Sequence, residues 1–249
     1  MKKYFQKLKY FLLSKNIKYH QKLINALTSE KLSKTLLHLE SKGVLFNVIY
    51  DIGARHAEWS TSLRPSFKNS TFYLFEANEK CTPELEKSGF KFFISTLSSK
   101  EGVVEFFTND STGDSYYKEN TSFYKEITSV KKESTTLDSL VAEKNIPYPH
   151  FIKIDTQGSE LDILAGASSC FKHASLIFLE CPLVNYNQGA PDFSTYLNFM
   201  SSKKYYPYEI CEHHYSDGIL IQIDVLFIKL TALNILKDEK FSHLNFYNN

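Results

Sequence analysis

From Phe46 onward the sequence alternates short apolar runs with helix-patterned segments, and this alternation limits the fold more than any other feature. FNVIYDI, TFYLFE, FKFFIST, FIKID and SLIFLEC are crowded with β-branched and aromatic residues and read as strands buried on both faces. Between them lie the helix patterns through Trp59 and Leu63, NEKCTPELEKSG, TLDSLVAEK and SELDILAGA, and a helix over 193–202 follows the fifth strand. Pro83 near the start of one helix and Gly89 after its end fit the usual asymmetry of helix termini. The chain closes with YYPYEICEHHY and ILIQIDVLFIK around Ser216-Asp217-Gly218, which predicts an antiparallel hairpin. Five strands alternating with helices and ending in a hairpin give an open, mostly parallel α/β sheet with an antiparallel strand. EGVVEFFT adds a strand with no helix before it, and the polar, aromatic segment 109–132 reads as a long loop.

The first 43 residues have a different texture. Leucines and phenylalanines recur at helical spacing among lysines, so the expected organisation is an N-terminal helical extension over 1–43 and one domain over 44–249. The leucine stripe suits packing on the domain itself; it also suits a homodimer contact through the N-terminal helices. Lys7 and Lys9 interrupt the apolar run that a signal peptide would need, and no run reaches the ~18 residues of a membrane span. Cys81, Cys170, Cys181 and Cys211 form no C-x-x-C pair, in keeping with a reducing, cytoplasmic setting. A net charge of +1 speaks against a nucleic-acid partner held by bulk electrostatics.

In open α/β sheets ligands bind outside the carboxyl ends of the strands, so polar residues there carry the functional reading. The first strand runs into DIGARHAEWS, where Gly53 permits a tight turn and Asp51 offers an acceptor; a simple helix cap would look the same. Glu76 ends the second strand, 25 residues after Asp51, the geometry of an acid that binds the hydroxyls of a ribose. The third strand ends in Ser95 and Thr96. The fourth ends in Asp155, followed by Gln157 and Glu160, and the fifth in Glu180. Ser159 and Asp162 read as a capping box and Glu160 as a helix-dipole acid, which leaves Asp155 and Gln157 without a structural reason. His213 and His214 precede the hairpin turn. Asp155, Glu180 and His213 are the candidate base or orienting groups, and the same three could hold a divalent cation, Mg or Mn.

Five segments in order, DIGARHAEWS, FYLFEAN, TTLDSL, IKIDTQGSELDILAGA and IFLE, resemble the FkbM-type methyltransferase family, as does the ending QIDVLFIK. The resemblance implies the class I methyltransferase fold, with a seven-stranded sheet, an antiparallel last strand and helices on both faces. It further implies S-adenosyl-L-methionine as cofactor and a sugar hydroxyl as acceptor, on a nucleotide-activated sugar or a surface-polysaccharide precursor. Carried onto this chain, Asp51, Gly53, Ala54 and Arg55 would lie on the methionine and ribose side. Glu76 and Ala77 would hold the ribose hydroxyls, Ser95 and Thr96 the adenine, and Asp155 and Gln157 the methyl sulfonium. Arg55 and Ala57 depart from the Asn and second Gly that the family usually has; Ala57 fits there if its φ is negative. A nicotinamide-dependent oxidoreductase would share the first-strand glycine and Glu76, but its G-x-G-x-x-G is missing. A binding protein with a degenerate cofactor site is the other alternative.

Overall fold

The computed structural model describes residues 30–108, 113–121 and 128–236. Seven strands form the main sheet: β1 (Val48–Ile52), β2 (Thr71–Glu76), β3 (Lys91–Ile94), β7 (Phe151–Ile154), β8 (Leu176–Pro182), β9 (Tyr205–Ser216) and β10 (Ile219–Lys229). They lie in the order β3-β2-β1-β7-β8-β10-β9, parallel except for β10, which runs antiparallel to both its neighbours. Strand order reverses between β1 and β7, and this is where the crevice of such a sheet opens.

Helices cover both faces, and the strand residues divide between them by simple alternation. On one face Tyr50, Ile52, Ile152 and Ile154 meet α4 (Leu137–Glu143), α5 (Glu160–Ala165), α6 (Ser168–His173) and α7 (Phe193–Ser202). On the other, Ile49, Phe151 and Phe178 meet α1 (Lys31–Ser41), α2 (Glu58–Leu63), α3 (Thr82–Ser88) and α8 (Leu230–Ile235). Leu32, Leu36 and Leu39 of α1 belong to this second core, although α1 precedes the boundary expected at residue 43. Lys31 also reaches the outer flank of the edge strand β9, where its Nζ donates to the Ile210 carbonyl at 2.7 Å and pairs with Glu209 at 2.8 Å. Residues 1–29, to which the remaining expectation of N-terminal helices and a dimer contact applies, lie outside the described residues.

Two expectations change. FKFFIST is not one strand: β3 stops at Ile94, Ser95 donates its N–H to the Glu76 carbonyl, and Thr96–Leu97 forms β4 of a separate sheet. That small sheet has the order β4-β6-β5, with β5 (Gly102–Thr108) antiparallel to β6 (Thr128–Thr135). The stretch expected to be a loop therefore ends in a strand. Its pattern hid this, because most of β6 faces solvent and Val130 is its one apolar residue. Phe123 and Tyr124 of that stretch lie outside the described residues.

Candidate functional site

A cavity of about 720 Å³ opens at the carboxyl ends of β1, β2, β7 and β8. Gly53, Ala54, Arg55, Glu76 and Ala77 line it, as do Ser95, Thr96, Asp155, Gln157 and Glu180. Asp51 and His213 do not. Asp51 is fully buried one layer beneath, and at the hairpin it is His214, not His213, that faces the cavity.

The turn after β1 is shaped by main-chain contacts. Gly53 has φ +74, and a Cβ on it would stand 1.9 Å from the carbonyl oxygen of Asp155. Its glycine identity is thus enforced by the neighbouring strand as well as by the open crevice. Arg55 and Ala57 also have positive φ, +47 and +64. Ala57 is therefore left-handed, so the negative φ under which an alanine would fit easily is not met, and it retains the backbone shape that a glycine would take freely. Glu76 anchors this turn: Arg55 N–H donates to Oε2 and Asn78 N–H to Oε1, each at 2.7 Å. Even with a further backbone N–H bond from Ala77, the carboxylate keeps acceptor capacity for hydroxyls. Burial raises its pKa, while those N–H groups pull the other way.

Beneath the turn lies a buried ion pair that sequence reasoning missed. Asp51 and Lys153 are register partners on β1 and β7. Lys153 Nζ is 3.0 Å from Asp51 Oδ1 and 3.6 Å from Asp155 Oδ2, and it donates to the Gly53 carbonyl at 3.1 Å. Ser60 on α2 donates to Asp51 Oδ2 at 2.7 Å. Burial pulls the Lys153 pKa down, but the Asp51 and Asp155 carboxylates more than offset it, so the ammonium stays charged. The available signal was a lysine inside an otherwise apolar strand, two residues from Asp155 and hence on the same face.

The connection from β7 to α5 is organised by Glu160, which lies in the first turn of α5 as expected and does more than favour its dipole. It is buried and accepts from Thr156 N–H at 2.8 Å, Gly158 N–H at 3.0 Å and Tyr196 Oη–H at 2.5 Å. Burial raises its pKa. The expected capping box does not form either: Ser159 makes no cap bond, and Asp162 accepts from Tyr117 at 2.8 Å and Tyr116 at 3.2 Å. These bonds strap the 113–121 segment over the cavity. Held this way, Gln157 takes a φ of +57 and points its amide between two acids, to Asp155 Oδ1 at 3.2 Å and Glu180 Oε2 at 2.5 Å.

Beyond Glu180 the carboxylates continue in register. Asp224 on β10 sits opposite Glu180 on one side and Glu212 on the other. Gln222 donates to Glu180 and its carbonyl accepts from Tyr186 at 2.7 Å. His214 Nε2 is 3.3 Å from Asp224 Oδ2, a contact that raises the imidazole pKa. Glu180 is pushed up by burial and then by Asp155 and Asp224. Among the described residues the atoms that converge as potential metal ligands are those of Glu212, His214 and Asp224, within 4.8 Å of one another; the expected trio of Asp155, Glu180 and His213 does not converge. The arrangement offers carboxylate oxygens at Glu76 at one end of the cavity and at Asp155 and Glu180 at the other.

The family model described as the methyltransferase FkbM domain matches residues 51–208. No curated protein sequence matches the chain. Among solved structures it is similar to magnesium protoporphyrin IX methyltransferase from Synechocystis PCC 6803, crystallised with bound SAM, at 8% identity and a TM-score of 0.48, covering 82% of this chain and 80% of that one. It is also similar to M. capricolum TrmK in complex with S-adenosyl-homocysteine, at 16% identity and a TM-score of 0.44, covering 78% and 68%. Among the described residues no helix is long and apolar enough to cross a membrane.

Proposed function

The chain belongs to the FkbM methyltransferase family; from this premise we propose that it depends on S-adenosyl-L-methionine and methylates a sugar hydroxyl, on a nucleotide-activated sugar or a surface-polysaccharide precursor. The observation that carries the proposal is the cavity itself. It joins an acid suited to ribose hydroxyls, Glu76, to a pair of acids held side by side by one amide, Asp155 and Glu180.

When bound, the cofactor supplies a methyl group already activated by a sulfonium. The protein's own task is to align an acceptor oxygen and take its proton. Glu76 would fix the ribose, with Ser95 and Thr96 beside the base. Asp155, half exposed and held at one oxygen by Gln157 and approached at the other by Lys153, would accept the acceptor's hydrogen bond. Glu180, half-buried and with a raised pKa, would take up the proton. The 113–121 segment, pinned through Tyr116 and Tyr117, would form the acceptor-side wall.

Calorimetry with S-adenosylhomocysteine and with NAD tests the site: binding of the first and not the second is expected, and no binding of the first overturns the reading. Mass spectrometry of products from a panel of nucleotide sugars tests the acceptor. Asp155→Asn should abolish turnover, and near-normal activity in that variant removes Asp155 from the mechanism.

A further inference from the structure

The stability of the sheet gives no reason for Lys153. Asp51 and Lys153 are 0% and 6% exposed at their side chains, side by side near the carboxyl ends of adjoining strands. Taking both charges out of water is expensive, and an apolar pair of similar volume is often as stable or more so. The lysine's remaining contacts lie elsewhere. Its Nζ binds the carbonyl of Gly53, where β1 turns into the cavity, and stands beside Oδ2 of Asp155, where β7 ends in it. These two points flank the place where strand order reverses. Trp59 closes the far side, with the ammonium 5.9 Å from its ring centre.

We propose that Lys153 is a positioning residue that ties the Gly53 turn to the Asp155 carboxylate and so fixes both walls of the crevice before any ligand enters. Asp51 serves as its buried counter-ion, which explains why that acid is placed beneath the cavity rather than in it. The consequence for cofactor affinity rests on the methyltransferase reading above; the effect on the two walls does not.

Lys153→Met alone would strand Asp51 without a partner, so the test uses an Asp51→Asn background, in which both members can be neutral. Hydrogen exchange is the first readout. Lys153→Met in that background should lower protection at residues 53–57 and 155–158 by about tenfold or more, the size of one lost buried contact, and leave the rest of the sheet unchanged. Unchanged protection at both walls overturns the proposal. If the methionine variant does not fold, Lys153→Gln, which keeps a donor for the Gly53 carbonyl but no charge, is read the same way at 155–158.

Affinity for S-adenosylhomocysteine is the second readout. Lys153→Met and Asp155→Asn should be non-additive in that background, the combined loss falling short of the product of the single losses by about fivefold. Losses that simply multiply mean that Lys153 does not act through Asp155. Failure of the unaltered protein to bind S-adenosylhomocysteine would instead count against the methyltransferase site, and the exchange experiment would still decide the role of Lys153.

Discussion

Gly53 carries two constraints at once, a positive φ and a main-chain oxygen where a side chain would go. Gly53→Ala should therefore cost about 3 kcal/mol or more, since either the β1 turn or the end of β7 has to move. A urea titration reads this directly, and a loss below about 1 kcal/mol would show that the backbone relaxes easily. The need for glycine here was legible in D-x-G, but the reason was not, because the clashing oxygen is supplied by a residue about a hundred positions away. Asp51 shows the same limit. Its acid was visible at the end of an apolar strand, yet only the register of β1 with β7 reveals that it spends its charge on Lys153. His214 was separated from His213 by nothing in the sequence; the alternation of β9 decides which of the two faces the cavity.

At the level of elements, the β7–α5 connection depends on one buried carboxylate. Glu160 gathers two N–H groups and the Tyr196 hydroxyl from α7. Tyr196→Phe removes the short hydroxyl bond and should destabilise the fold by about 1.5–3 kcal/mol, the range for hydrogen bonds to charged groups; chemical denaturation measures it. The strap from the 113–121 segment is a separate matter. Asp162→Ala frees Tyr116 and Tyr117, which should raise the acceptor KM several-fold while leaving S-adenosylhomocysteine affinity within about twofold; equal losses in both would mean that the strap supports the whole cavity. Local pattern misled at this element. S-x-x-D before an apolar run is a good capping signature, but a nearby tyrosine pair claims Asp162 and the buried Tyr196 hydroxyl of α7 claims Glu160. The strands were easier to read, because continuous apolar runs leave few alternatives; β6, apolar only at Val130, could not announce itself.

For the whole molecule, topology follows from the alternation of strands and helices with the closing hairpin, whereas the charge balance emerges only when the strand tips are side by side. Glu76, Glu160 and Glu180 all hold their protons more tightly than in the unfolded chain, chiefly through burial. A raised carboxyl pKa means the native state binds more protons, so stability falls as pH climbs from the ordinary 4.5 through the folded values. His150 works the other way, since burial lowers its pKa and its contribution, present above 6.5, is lost as pH falls from there through the lower folded value. Three raised carboxyls outweigh one partly exposed imidazole, and the unfolding midpoint in a thermal scan should fall as pH climbs above 4.5; a midpoint that rises steadily over that climb would mean that burial does not hold these protons.

The lysine that α1 lays along β9 has a bearing on solubility. An edge strand with free hydrogen-bonding groups is a template for another chain, and a charged side chain across it is a standard safeguard. Lys31 occupies that flank while its helix covers the leucine-lined face behind it. A chain trimmed to residues 44–249 would lose the guard and its cover together. Light scattering on warming should then show sheet-to-sheet assembly that the longer chain resists, whereas Lys31→Ala alone should shift only its onset.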